Sequence, residues 1–172
     1  MQTFQNTVNQ SIWQFNPDVI VANENGVFSF QTASGAPLSV PTTLVPFIIP
    51  APTPEQLLVA AQVTQSSIVK ASCANAITTT FSSSALGSVF NYDCAPLDQV
   101  NISYVSVHGG SLWCQSGSNP WSFVAHTSTQ GLQVHSDMTS HIQAQQTIYA
   151  GLLAQINAAT TVAAVQAIVW PV

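Results

Sequence analysis

Four histidines, His108, His126, His135 and His141, are the side chains best suited to move a proton or hold a metal near neutral pH. Their spacing argues against both tasks. His135 and His141 are six residues apart, on different faces of a helix, whereas a one-helix metal pair sits four apart, as in HExxH. No His-x-His pair occurs. Cys73, Cys94 and Cys114 form an odd set without CxxC spacing, leaving two readings open: buried reduced thiols, or a Cys73–Cys94 disulfide. Of the six carboxylates, Asp93 and Asp98 alone lie close together, five apart, where turn and capping roles are commoner than a glycosidase pair. Asp98 is placed to cap a short helix starting at Gln99. Serines and threonines abound without a GxSxG context, and no phosphate loop or dinucleotide motif is present. No catalytic, cofactor-binding or metal-ligating residue is assigned, no cofactor is called for, and an enzyme is not expected.

Charge narrows the field further. Only 4% of the 172 residues are charged, against roughly 25% in ordinary soluble domains, and Lys70 is the sole basic side chain. One lysine cannot neutralise a run of phosphates, so nucleic-acid binding is not expected. Anionic membrane surfaces and arginine-based anion recognition fall by the same argument. The longest apolar run, Leu44 to Ala51, is short and broken by prolines, so no membrane insertion is expected, and MQTFQNTVNQ reads as no signal peptide. A net charge of -5 with so few charges gives little repulsion between copies, which suits a subunit covered by neighbours.

The elements that would carry these residues point to an α+β chain in three parts. Residues 1–36 read as a β-rich anchoring arm. Asn25-Gly26 between two apolar runs is a strong hairpin signal, with Phe28 and Phe30 on one face and Trp13 and Phe15 alternating upstream. A lone hairpin is marginal, so these four aromatics are expected to meet a partner surface. Residues 37–54 hold Pro37, Pro41, Pro46, Pro50, Pro52 and Pro54 and read as a semi-rigid spacer whose apolar residues lie against something. Residues 55–172 read as helices packed on a short antiparallel sheet. Thr53, Pro54 and Gln56 make a helix start, with Leu57, Ala61, Ile68 and Ser72 as its apolar face and Leu58 and Val69 beside them. The stretch from Thr78 reads as strand and loop, and DQVNISYVSVHGG as a strand or short helix. SLWCQ and WSFVAH follow as strand fragments. A long helix from about Thr129 to Ala158 carries Met138, Ile142, Gln145, Tyr149, Leu152, Ile156 and Ala159 at alternating steps of four and three. That seam fits packing against another copy or against the chain's own strands. A short closing helix is capped at Thr160 or Thr161. Tyr104, Trp113 and Trp121 read either as core or as an aromatic–polar surface suited to glycan or protein contact.

Several stretches together resemble a family of C-terminal domains, of unassigned function, found in bacteriophage tail-fibre and tail-fibre-assembly proteins. They are ITTTFSSSALG (Ile77 to Gly87), Tyr92-Asp93, Asp98-Gln99-Val100-Asn101, Trp113-Cys114, HTSTQGLQV (His126 to Val134) and INAATTVAAVQAIVW (Ile156 to Trp170). Coverage is about two thirds of the chain, residues 57–172. The long helix departs from the family, being Gln, Ala and Thr where relatives carry many charges. The resemblance implies a structural part of a phage tail: a fibre, or a fibre-like subunit attached to the baseplate by its N-terminal region, resident in the virion. Expected partners are other tail or baseplate proteins, further copies of the chain with a trimer favoured, and a host surface glycan or protein. The alternative is a tail-fibre assembly chaperone absent from the finished particle.

Overall fold

Asparagine and glycine at positions 25 and 26 both adopt positive φ, 53° and 86°, which closes a two-residue turn matched to the twist of the flanking strands. The turn joins β3 (Ile20–Glu24) to β4 (Val27–Gln31) in the register expected from sequence. In this computed structural model, which describes residues 1–171, the chain is α+β and divides into two units, Met1–Pro52 and Thr53–Val172.

In the N-terminal unit the hairpin belongs to a small β structure with its own core. A second sheet places β1 (Gln2–Asn6) between β2 (Ile12–Phe15) and β5 (Leu44–Pro46), all antiparallel. Phe4 on β1 meets Phe15, Phe28 and Phe30 edge-on at ring-centre distances of 5.9, 5.4 and 4.8 Å, while Phe15 stacks on Phe30 at 4.5 Å. Such pairs add about 0.5–1.5 kcal/mol each beyond their buried area. The expectation that Trp13, Phe15, Phe28 and Phe30 need an outside partner is thereby corrected, because Phe4 and Leu44 supply that surface from within the unit. Much of the proline-rich segment is drawn in as well. Pro37 bridges Gln31, Leu38 and Val40 pack on the phenylalanine core, and Leu44 is fully buried. Asn6 anchors the return, its buried side-chain oxygen accepting from the Val8 amide at 2.9 Å and the Thr43 hydroxyl at 2.8 Å.

The C-terminal unit is two-layered. Its antiparallel sheet runs β6 (Phe81–Ser83), β7 (Phe90–Tyr92), β8 (Gly110–Ser116), β9 (Ser122–His126). Between β7 and β8 the chain forms α2 (Pro96–His108), a helix where sequence left strand and helix open. The helix starts at Pro96 with Ala95 as N-cap, so Asp98 lies in its first turn and not at the cap. Alternation along the strands sends Phe81, Tyr92, Leu112, Cys114 and Val124 inward, where they pack with Ile102 and Val105 of α2 and with Val134 and Met138 of α3 (Ser128–Ala158). Thr127 and Gln130 form a reciprocal capping box that begins α3. Where α3 crosses α2, Gly131 is required by space: a Cβ there would stand 2.5 Å from the Val105 carbonyl oxygen.

A second core forms where α1 (Pro54–Ile77), the end of α3 and α4 (Val162–Gln166, capped by Thr161) meet around Val69, Ile156 and Val165. Val69, Leu58 and Ala61 of the expected α1 face lie in this core, whereas Leu57 and Ile68 are half exposed and Gln65 and Cys73 are buried in addition. The reason is polar. Gln62 donates to the carbonyls of Ile156 and Ala159 at 3.1 and 3.3 Å, and Gln65 to Ile168 at 2.6 Å, satisfying backbone acceptors at and beyond helix ends. The α3 seam is taken up internally: Met138 and Ile142 serve the first core, and Tyr149, Leu152, Ile156 and Ala159 the second. Gln145 meets α1 through its backbone carbonyl, which accepts from the Cys73 thiol at 3.7 Å.

Candidate recognition surface

The histidines are dispersed. His126 is buried between β9 and the core, and because the Val124 carbonyl can only accept, its Nδ1–H donates there at 2.8 Å. Nε2 is then the acceptor for the Tyr92 hydroxyl at 2.9 Å. Burial, with Cys114 and Asp137 nearby, pushes the Tyr92 phenol well above its ordinary range, so its hydroxyl keeps its proton and stays a fixed donor. His141 donates through Nε2 to the Ala76 carbonyl at 3.1 Å and lies along the Phe81 ring. His108 rests on Tyr104, one helical turn away, with ring centres 4.5 Å apart.

All three cysteines are buried free thiols, so the Cys73–Cys94 disulfide is not formed. Burial raises the pKa of each, keeping them protonated and weakly nucleophilic. Among the described residues no cluster of three or more His, Cys, Asp or Glu is arranged for a metal, and no helix is long and apolar enough to cross a membrane.

Asp93 and Asp98 do come together, with Asn101, Ile102, Leu112 and Trp113, around a cavity of about 10 Å³. That is room for a single water and too little for a substrate. Burial first, then neighbouring Asp98, holds the Asp93 carboxyl above its ordinary value. A groove of about 410 Å³ along α1 and α4 is larger, yet Leu57, Ala60, Ala61, Thr64, Gln65, Ile68, Val162 and Gln166 supply no acid or base to it.

Two exposed surfaces group large apolar side chains in a regular pattern. One runs along α2. Leu97, Val100, Tyr104 and Val107 recur at steps of three, four and three, and all are between 61% and 80% exposed. The opposite side of α2 carries the buried Ile102 and Val105, so the helix is apolar on both sides, a pattern suited to a helix covered on both. The second surface is the outward face of the sheet, where antiparallel register sets Trp113 opposite Phe123. Trp113 is 36% exposed and Phe123 69%. Their ring centres are 4.9 Å apart, and Trp121 lies near-parallel to Trp113 at 6.3 Å and 18°. Trp113 and Trp121 thus come together on one face, outside the core, whereas Tyr104 belongs to the α2 stripe. Sequence reading overlooked Phe123 and the stripe. The alternation Trp121-Ser122-Phe123 was the available signal for the first, and helical spacing from Leu97 for the second.

No family model, curated protein or solved structure matches this chain.

Proposed function

We propose that this chain is a structural subunit of a bacteriophage tail, a fibre or fibre-like component attached to the baseplate by the Met1–Pro52 unit and presenting the Thr53–Val172 unit. The tail context is supported by the motif set between Ile77 and Trp170. One observation carries the structural role: the apolar stripe Leu97, Val100, Tyr104 and Val107 stands exposed on a chain with a single cation. A stripe of that spacing is the seam through which like helices pack, and the occupant assigned to it is α2 of another copy, with a trimer favoured. The α3 seam cannot serve, since its own domain occupies it. His126 and His141 are engaged in hydrogen bonds within the fold, which supports a structural role for these two side chains.

Quantitative mass spectrometry of purified particles tests the reading. The chain is expected in every preparation at a fixed ratio to other tail proteins. Its presence in infected cells and absence from particles would overturn the proposal and favour an assembly chaperone.

A further inference from the structure

The outward face of the sheet is used neither by the core nor by the α2 stripe, yet it carries three large aromatic side chains. Trp113 and Trp121 are near-parallel, and Phe123 packs beside Trp113. Exposed apolar patches rimmed by polar groups mark contact sites. The rim here is made of groups that exchange hydrogen bonds with neutral partners. Register places Asn91 opposite Gln115 on the same face, and Asp93 shares the small cavity with Trp113, Asp98 and Asn101.

We propose that this face binds a neutral oligosaccharide, with sugar rings lying on Trp113 and Trp121 and hydroxyls directed to Asp93, Asn91 and Gln115. A pyranose ring has a C–H face that matches an indole and a rim of hydroxyls that matches carboxylate and amide. Charge selects among the candidates. The chain carries -5 overall with Lys70, on α1, as its one basic side chain, so an acidic glycan would meet only like charge. A second copy fits poorly as well, because unless its α1 with Lys70 were the surface presented it would bury the Asp93 charge unpaired. Sugar hydroxyls donate to that carboxylate and compensate its desolvation. This inference rests on the reading of the C-terminal unit as the presented end, and it names what that end would hold.

The test uses the purified full chain, so its failure leaves incorporation into particles untouched. Neutral hexasaccharides of glucose, galactose and mannose are titrated while tryptophan fluorescence is followed, beside a galacturonic acid hexamer. A saturable shift with at least one neutral sugar and none with the acidic one is expected. Trp113→Ala and Trp121→Ala should each weaken binding by about tenfold or more, Trp113→Tyr should restore most of it, and Trp170→Phe should leave it intact. Unchanged circular dichroism and melting confirm that each variant is folded. Absence of a saturable shift with every neutral sugar, undiminished binding by folded Trp113→Ala, or preference for the acidic hexamer would each overturn the proposal. So would concentration-dependent self-association that Trp113→Ala abolishes, which would give the face to another copy.

Discussion

The two units solve the same problem with different residues. Met1–Pro52 builds its core from Phe4, Phe15, Phe30 and Leu44, and its one buried polar side chain is Asn6. Thr53–Val172 buries Tyr92, His126, Gln65 and all three cysteines among its aliphatic residues. The side chains that look most like chemistry are thus the ones the larger unit uses as internal wiring. The smaller unit is insensitive to protons in its core and depends on ring packing. The larger one holds protons that its unfolded chain would release.

Separate cores mean separate damage. Phe30→Ala removes the ring that both Phe4 and Phe15 contact and is expected to cost about 3–5 kcal/mol. That is enough to melt a unit of this size while the helical signal of the larger unit persists in circular dichroism. Gly131→Ala does the reverse. With Val105 backbone in the way, α2 and α3 must separate, at a cost of about 3 kcal/mol. Helical ellipticity should then melt early while the Trp13 environment in the smaller unit is unchanged.

Alkaline titration separates the units without mutation. Burial raises the thiols of Cys73, Cys94 and Cys114 above 9.0 and the Tyr92 phenol above 10.0 in the folded chain. Above about pH 9 the unfolded state therefore binds fewer protons than the folded one. Stability is fully present below that pH and falls as pH climbs towards the raised folded values, by up to about 1.4 kcal/mol per pH unit for each group. Denaturant melts between pH 8 and 11 should show the decline in the larger unit alone. Tyr92→Phe is a smaller change. It leaves His126 Nε2 without its donor and should cost about 1–2 kcal/mol, read from the same melts at pH 7.

Smallest in stability is the α2 stripe. Leu97→Lys with Val107→Lys changes exposed positions and should alter stability by less than about 0.5 kcal/mol. If α2 of another copy covers the stripe as proposed, light scattering should show the parent chain oligomeric and this double variant monomeric. A monomeric parent chain at the same concentration would remove the stripe's assigned partner.

How far the sequence anticipated this arrangement differs between the units for a physical reason. Local chemistry was legible: the Asn25-Gly26 turn, the Thr53 cap with Gln56 and the long periodic α3 all follow from neighbouring residues. Long-range pairing was not. Nothing local in Gln2–Asn6 announces a strand between β2 and β5, and so the core around Phe4 was invisible and its rings were assigned to a partner. On α1 apolar spacing found Leu58, Ala61 and Val69 but not Gln62 and Gln65, whose value lies in carbonyls more than ninety residues away. Val100, Val105 and Val107 gave α2 a strand-like composition that tertiary packing on α3 overrides. Of the candidate surface, Trp113 and Trp121 were named from sequence, while their exposure depended on which face the helices cover.

The most direct test compares particles assembled with the full chain and with a chain beginning at Thr53, both followed by mass spectrometry of purified virions. The full chain is expected at a fixed ratio to other tail proteins, and the shortened chain folded in the lysate but missing from particles. Equal incorporation of the shortened chain, or absence of the full chain, would contradict it.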